Sequence, residues 1–343
     1  MIQDTLKRTA FGAARVLRAH SLARRMLRAR LRVFCYHGVL ASDEGRGIRY
    51  RNTVTRDEFA MHVRTLVRHE HPVGLDAVIA WAREGRPLPP RAVLVTFDDG
   101  YRNNLTVAAP ILKEHGVPAL VAVTTDHIGR REMLWPTEVD HRVIDGRWER
   151  LPLPSGSSIE RPSDPGRRDE LARAIRGELK RGSNAARLAW LEVLRAHTDL
   201  DENAISRELV EFLDWDEVRK LREFGVEIAS HTVHHPILSR LDRQELDAEL
   251  ADSKARIERE TGAPCRSLVF PNGKAEDLGA PVTEAVARAG YLVSFDLTDR
   301  VNPERCRDPL HIHRIEMPPA MSPGLFAARE SGLYAMLRGR VDP

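Results

Sequence analysis

Short continuous apolar runs alternate with amphipathic stretches along most of the chain. Runs at 31–36, 92–97, 119–124, 226–230, 267–270 and 291–294 each predict a strand buried on both faces, and a last strand is expected around 311–315. The stretches at 56–68, 75–84, 104–115, 215–224, 243–261 and 281–289 place apolar residues at helical spacing and predict helices between those strands. Strands separated by helices in this way predict an α/β fold with a mainly parallel sheet, and about seven of them predict a deformed (β/α) barrel. The alternation stops between 133 and 213, where no strand-like run occurs. There a cluster rich in Pro, Gly and Ser at 151–166 leads into helices expected over 169–180, 184–197 and 203–212. The expected organisation is a first barrel part (33–132), a mainly helical insertion (133–213), a second barrel part (214–317) and a C-terminal tail (318–343) in which no element is read.

Ahead of the barrel, Leu6, Phe11, Ala14, Leu17, Leu22, Met26, Leu27 and Leu31 recur at helical spacing with arginines on the other faces, predicting a basic amphipathic helix over 1–32. Charge sharpens this picture. The 343 residues carry a net charge of only +3, too balanced for a general nucleic-acid binder, so no nucleic-acid partner is expected. Residues 1–32, however, hold nine Lys and Arg against the single Asp4. Two readings stand for this helix: a peripheral anchor on an anionic membrane, or a helix docked on its own domain or on a second copy.

The hydrophobic content of 42% argues for a packed core. No run approaches the ~18 consecutive apolar residues of a spanning helix, and arginines interrupt the N-terminal stretch where a signal peptide needs an unbroken apolar core. Cys35, Cys265 and Cys306 are odd in number and show no CxxC spacing, which indicates neither a disulfide framework nor a cysteine zinc site. The expectation is a cytoplasmic protein, peripheral on the inner membrane face if the anchor reading holds.

Two clusters carry candidate chemistry. The run 92–101, AVLVTFDDGY, is an apolar strand ending in adjacent carboxylates, Asp98 and Asp99, before a glycine that permits a sharp turn. Ligands bind at this C-terminal edge in parallel α/β folds. Neighbouring residues on extended chain point apart, so one acid can hold a metal while the other faces substrate. The run 226–236, VEIASHTVHHP, is a second strand running into His231, His234 and His235. His231 and His235 are spaced i, i+4, as on metal-binding helices, so both imidazoles can reach one ion. Two imidazoles and one carboxylate make a three-ligand site with room for water, the donor set of a catalytic divalent cation, most simply one Zn2+ per chain. The remaining carboxylate is then free to act as a general base in metal-assisted hydrolysis.

TFDDGY at 96–101 and SHTVHHP at 230–236, with YHGV at 36–39 and FPNG at 270–273, resemble the motifs of the polysaccharide deacetylases, carbohydrate esterase family 4, also called the NodB homology domain. The resemblance covers 33–128 and 214–316 and implies a NodB-like barrel that hydrolyses the N-acetyl group of an amino sugar in a glycan. It further implies that Asp98 is the base and that Asp99, His231 and His235 bind the metal. Pro271 and Asn272 fall in the motif whose backbone N–H helps hold the oxyanion, His37 lines the barrel mouth, and Tyr101 lies in the first motif beside the substrate. The family's third motif often carries an arginine bracing the base, but Val269 stands in its place, so Arg314 in the last strand is the candidate brace. The family's general acid is a late histidine, which points to His313, with His311 as the alternative. Other readings are a deformylase or other linear or cyclic amide hydrolase of the same fold, and a non-catalytic carbohydrate-binding barrel. The insertion is expected to cap the mouth or form a dimer contact. Its Trp135, Trp148 and Trp190 are read as sugar-stacking or core residues.

Overall fold

The computed structural model describes residues 19–41, 52–201 and 205–342. All seven expected strands form: β1 (Arg32–Tyr36), β2 (Ala92–Phe97), β3 (Ala119–Val123), β4 (Val226–Ser230), β5 (Ser267–Val269), β6 (Val293–Phe295) and β7 (Arg314–Glu316). They pair in the order β6-β5-β4-β3-β2-β1-β7, every pair parallel. A parallel bridge between Phe295 and Ile312 brings β6 to the approach of β7 and nearly closes the ring. Such strands are covered on both faces, which is why they read as unbroken apolar runs.

Alternation along the strands separates two cores. Val33, Leu94, Leu120, Ala122, Ala229, Val269, Val293, Phe295 and Ile312 pack inside the ring with Leu75, Val78 and Trp81 of helix α3 (Leu75–Glu84). Phe34, Val93, Val95, Phe97, Val121, Leu268 and Phe270 face outward onto the surrounding helices. Those helices are α1 (Ala19–Met26), α2 (Arg56–His69), α4 (Ala109–Glu114), then, past the insertion, α8 (Trp215–Leu221), α9 (Arg243–Thr261) and α10 (Ala280–Arg288). Capping boxes set the starts of α2 (Thr55, Glu58) and α9 (Asp242, Glu245). The helix expected over 104–115 begins instead as a π turn, Asn104–Ala108, before α4. Pro110 lies at the junction and offers no N–H to continue a regular α ladder.

Helices α5 (Trp135–Ile144), α6 (Pro165–Arg181) and α7 (Asn184–His197) lie between β3 and β4. They enclose an apolar core of their own, which includes Val139, Val143, Leu151, Ile175, Leu191 and Leu194. Trp135, Trp148 and Trp190 are buried in it, so their rings pack in a core instead of offering a stacking surface.

Two sequence expectations are corrected here. The stretch 133–213 does contain strands: Arg150–Pro152 and Ser158–Glu160 form an antiparallel hairpin within the Pro, Gly and Ser cluster. The helix expected over 203–212 does not form in its described part beyond a 3-10 turn, Arg207–Leu209. Its backbone is taken up elsewhere, since Arg102 N–H donates to Glu211 O (2.9 Å) and Leu213 N–H to Gly100 O (3.0 Å). The tail carries two helices, α11 (Pro323–Glu330) and α12 (Leu333–Leu337), which return Phe326 and Ala335 to the outer core. Of the basic helix expected over 1–32, α1 falls among the described residues, and residues 1–18 lie outside them.

Candidate active site

The last residue of β2 is Phe97, and the two acids follow at once. Asp98 N–H donates to Tyr36 O (2.9 Å), continuing the ladder, so the Asp98 side chain keeps the inward phase of Leu94 and Thr96. At Asp99 the chain turns left-handed (φ 75°), and Gly100 follows at φ 84°. A side chain at Gly100 would press on Val123 and Ile128 at 3.2 Å, so the turn is tight as well as strained. The turn sends the two carboxylates to different partners.

Asp98 is buried and held by Arg314 in a bidentate pair, Nη1 to Oδ1 at 2.5 Å and Nη2 to Oδ2 at 2.9 Å. Arg314 is itself buried and oriented by donating from Nε to Asp296 O (2.9 Å) and from Nη1 to Thr96 Oγ1 (3.3 Å). Cys35 Sγ lies 3.5 Å and His37 Nε2 3.9 Å from Asp98 Oδ2. Burial pushes the Asp98 carboxyl up, but the Arg314 charge and hydrogen bonds, with His231 and His37, hold it well below the usual carboxylate range.

Asp99 faces the histidines. Its Oδ1 lies 3.5 Å from His231 Nε2 and 3.6 Å from His235 Nε2, and the two rings meet edge to face with centroids 4.8 Å apart. His231 Nδ1 lies 2.8 Å from Val269 O, so that nitrogen carries the proton and leaves the Nε2 lone pair toward Asp99. Burial pushes His235 down to about 3, which keeps its ring neutral and able to ligate. Its buried Nδ1 has no described partner. One carboxylate oxygen and two imidazole nitrogens, all within 4.8 Å of one another yet beyond hydrogen-bond length at their closest, fit a divalent cation between them. Cys35, His37 and Asp98 also converge within 4.8 Å, but the Arg314 guanidinium already holds both Asp98 oxygens, and its charge disfavours a cation there.

The i, i+4 pair of histidines does not sit on a helix, as its spacing suggested. After β4 the chain folds through left-handed Thr232 (φ 68°) and His235 (φ 56°). Ser230 Oγ accepts from Thr232 N–H and Thr232 Oγ1 from His235 N–H, both at 3.1 Å. Glu249 of α9 accepts from the N–H groups of Val233 and His234 and lies 2.6 Å from His234 Nδ1, which turns that ring away from the centre.

Asn272 (φ 60°) and Gly273 (φ 62°) make the turn after β5. Asn272 Nδ2 donates to Asp277, and its Oδ1 accepts from Lys180 Nζ. Tyr101 is buried against Phe212, rings 5.1 Å apart, and its hydroxyl is pushed up by burial and by neighbouring Asp99. His313 is not brought to the site. Arg314 points inward from β7, so its neighbour points outward, where His313 Nδ1 meets Asp296 (2.8 Å) and Nε2 meets Asp342 (2.9 Å). His311, two residues away on the same outer phase, meets Thr283 Oγ1 at 2.8 Å and stacks on Phe270.

Sequence reasoning missed what the insertion supplies. Lys180 reaches from α6 to Asn272, and burial, then Arg176 and Lys274, push it down to about 8. Trp135 Nε1 donates to His235 O (3.1 Å), tying α5 to the histidine loop. A lysine in a polar helix ordinarily reads as solvated, so nothing local marked Lys180.

A nearly closed parallel (β/α) barrel with paired acids and histidines at its strand ends defines a NodB-like hydrolase. A polysaccharide deacetylase sequence profile matches residues 85–293, about three-fifths of the chain, and the chain belongs to that family, whose members hydrolyse carbon–nitrogen bonds other than peptide bonds and are generally metal-dependent. YxkH of Bacillus subtilis (strain 168), a relative named as a polysaccharide deacetylase, is 20% identical over 302 residues, spanning 88% of this chain and 76% of YxkH. Among solved structures, Streptococcus pyogenes deacetylase PplD in complex with acetate aligns with a TM-score of 0.57 and 15% identity, over 92% of this chain and 100% of its own. IcaB from Ammonifex degensii aligns at 0.57 and 18%, over 88% and 97%. At such identities these two structures speak for the fold alone.

Proposed function

We propose that the protein is a metal-dependent deacetylase that hydrolyses the N-acetyl group of an amino sugar in a polysaccharide or glycan precursor. The observation that carries this reading is the division of labour between two adjacent acids: Asp99 faces two imidazole nitrogens, and Asp98 is kept ionised by Arg314. Asp99, His231 and His235 would hold the cation, one Zn2+ by the nature of the donors, and when bound it would supply Lewis-acid polarisation of the amide carbonyl and of the attacking water. Asp98 takes the proton of the attacking water as its oxygen adds to the carbonyl carbon. The backbone N–H of Asn272, in the tight turn after Pro271, donates to the developing oxyanion. When the C–N bond breaks, its electron pair stays on nitrogen and the departing amine takes a proton, leaving acetate. With His311 and His313 turned outward, His37 is the imidazole beside Asp98, and it relays that proton. Lys180 donates to Asn272 Oδ1 and so steadies the turn that carries the Asn272 N–H.

The test is acetate release from a panel of acetylated oligosaccharides and nucleotide sugars, run alongside elemental analysis of the purified protein. Asp98→Asn cuts release about 10³-fold and keeps the metal, and His231→Ala loses the metal. Retained release in the first variant, or undiminished metal in the second, contradicts the assignment.

A further inference from the structure

We propose that the barrel end opposite the active site is a docking surface for an anionic lipid bilayer, built on α1. Helix α1 buries His20, Ala23 and Leu27 against the domain and turns Leu22 and Met26, each 60% exposed, to the outside. Five large apolar side chains are exposed among the described residues, and three belong to two packed helices: these two and Leu337 of α12, which packs against α1. Beside them lies a cleft of about 270 Å³ lined by Arg24, Arg25, Arg28, His69 and Arg91. Arg24 is spoken for, since it pairs with Glu70 and Glu330. Arg25, Arg28 and Arg91 are exposed and have no carboxylate within ion-pair reach among the described residues.

The cleft is a fixed feature. Arg91 N–H donates to Arg28 O (2.5 Å), which locks the start of β2 to the end of α1. The field there is positive enough to reach His69, which burial, Arg24, Arg68 and Arg91 together push down. Exposed apolar residues flanked by unpaired arginines match the layered chemistry of a bilayer: acyl chains for Leu22 and Met26, phosphates for the guanidinium forks. No described helix is long and apolar enough to cross a membrane, so the contact is interfacial. Arg28 and Arg91 precede β1 and β2, whereas Asp98 and Asp99 follow β2, so the docked protein holds its site toward the aqueous side. Docking and catalysis are therefore separable.

The experiment is flotation of the full chain with phosphatidylcholine vesicles, without and with phosphatidylglycerol. Binding to the mixed vesicles and not the neutral ones, weakened by salt, is the expected result. Arg25→Gln with Arg28→Gln weakens it about 25-fold, taking roughly fivefold for each arginine. Leu22→Ser with Met26→Ser weakens it about tenfold. All four positions are exposed, and an unchanged melting temperature and unchanged acetate release verify that the variants are folded. Three flotation results overturn the proposal: no binding to the mixed vesicles, equal binding to neutral ones, or full displacement by millimolar inorganic phosphate at constant ionic strength, which would make the cleft a site for soluble anions. Light scattering that shows a dimer broken by the Leu22 and Met26 changes would assign the face to a second copy and equally overturn it.

Discussion

The barrel holds a buried arginine–carboxylate centre at each end, and the two are built differently. Near the mouth, Arg314 meets one carboxylate, Asp98, through both oxygens. At the far end Arg24 and Arg32 share two, Glu70 and Glu330: Arg24 binds both, and Arg32 binds Glu70 and the Glu330 main-chain carbonyl. The one-to-one pair fixes a charge, holding Asp98 ionised despite its burial. The shared centre crowds two acids together, and burial with the Glu70 charge pushes Glu330 up to about 8 despite Arg24. The first arrangement suits a base that must be ready at every working pH. The second is a structural joint between α1, β1 and α11 that titrates.

The largest expected effect comes from removing the fixed charge. Asp98→Asn lowers kcat by about 10³-fold, read by acetate release, with metal content unchanged. Arg314→Met tests what fixes that charge. It leaves a buried carboxylate unpaired and costs about 3 kcal/mol in urea unfolding. Asp98 then loses its hold in the acid range, so the activity profile gains a limb that falls as pH drops. For stability the sign is the same: a depressed carboxylate contributes above its unfolded value and loses that contribution as pH falls through the folded one. The wild type therefore keeps this contribution further into acid than the variant does. Lys180→Met leaves both ion centres intact and lowers kcat/KM about tenfold through the loss of a charged hydrogen bond to Asn272.

The smallest effect belongs to the far end. Between the ordinary value of 4.5 and about 8 the folded protein binds the Glu330 proton and the unfolded chain does not, so this group makes stability fall as pH rises through that window. Glu330→Gln flattens the slope in urea midpoints measured from pH 5 to 8, and an unchanged slope would erase the contrast between the two ends.

The barrel was legible because its strands are covered on both faces, and each expected strand, including the polar last one, turned out to belong to the ring. Asp98, Asp99, His231, His235 and Arg314 were legible from their places at strand ends and in motifs, and the structure brings all five together. His313 was misread for a reason the strand period already contained: adjacent residues of β7 cannot both face the site, so Arg314 inward sends His313 outward. The proximity of His231 and His235 was anticipated, but its cause was not, because hydroxyl-capped left-handed turns leave no periodic trace. Lys180, the hairpin in the insertion and the helices of the tail depend on packing between distant segments. Glu330, at the end of α11, meets Arg24 and the β1 residue Arg32 some three hundred positions away.

The central claim is that Asp99, and not Asp98, shares a cation with His231 and His235. Anomalous diffraction at the zinc edge from wild-type and Asp98→Asn crystals measures it most directly. The account predicts one peak, in both crystals, between the Asp99 carboxylate and the two imidazoles. A peak among Cys35, His37 and Asp98, or one that disappears with the Asp98 charge, would contradict it.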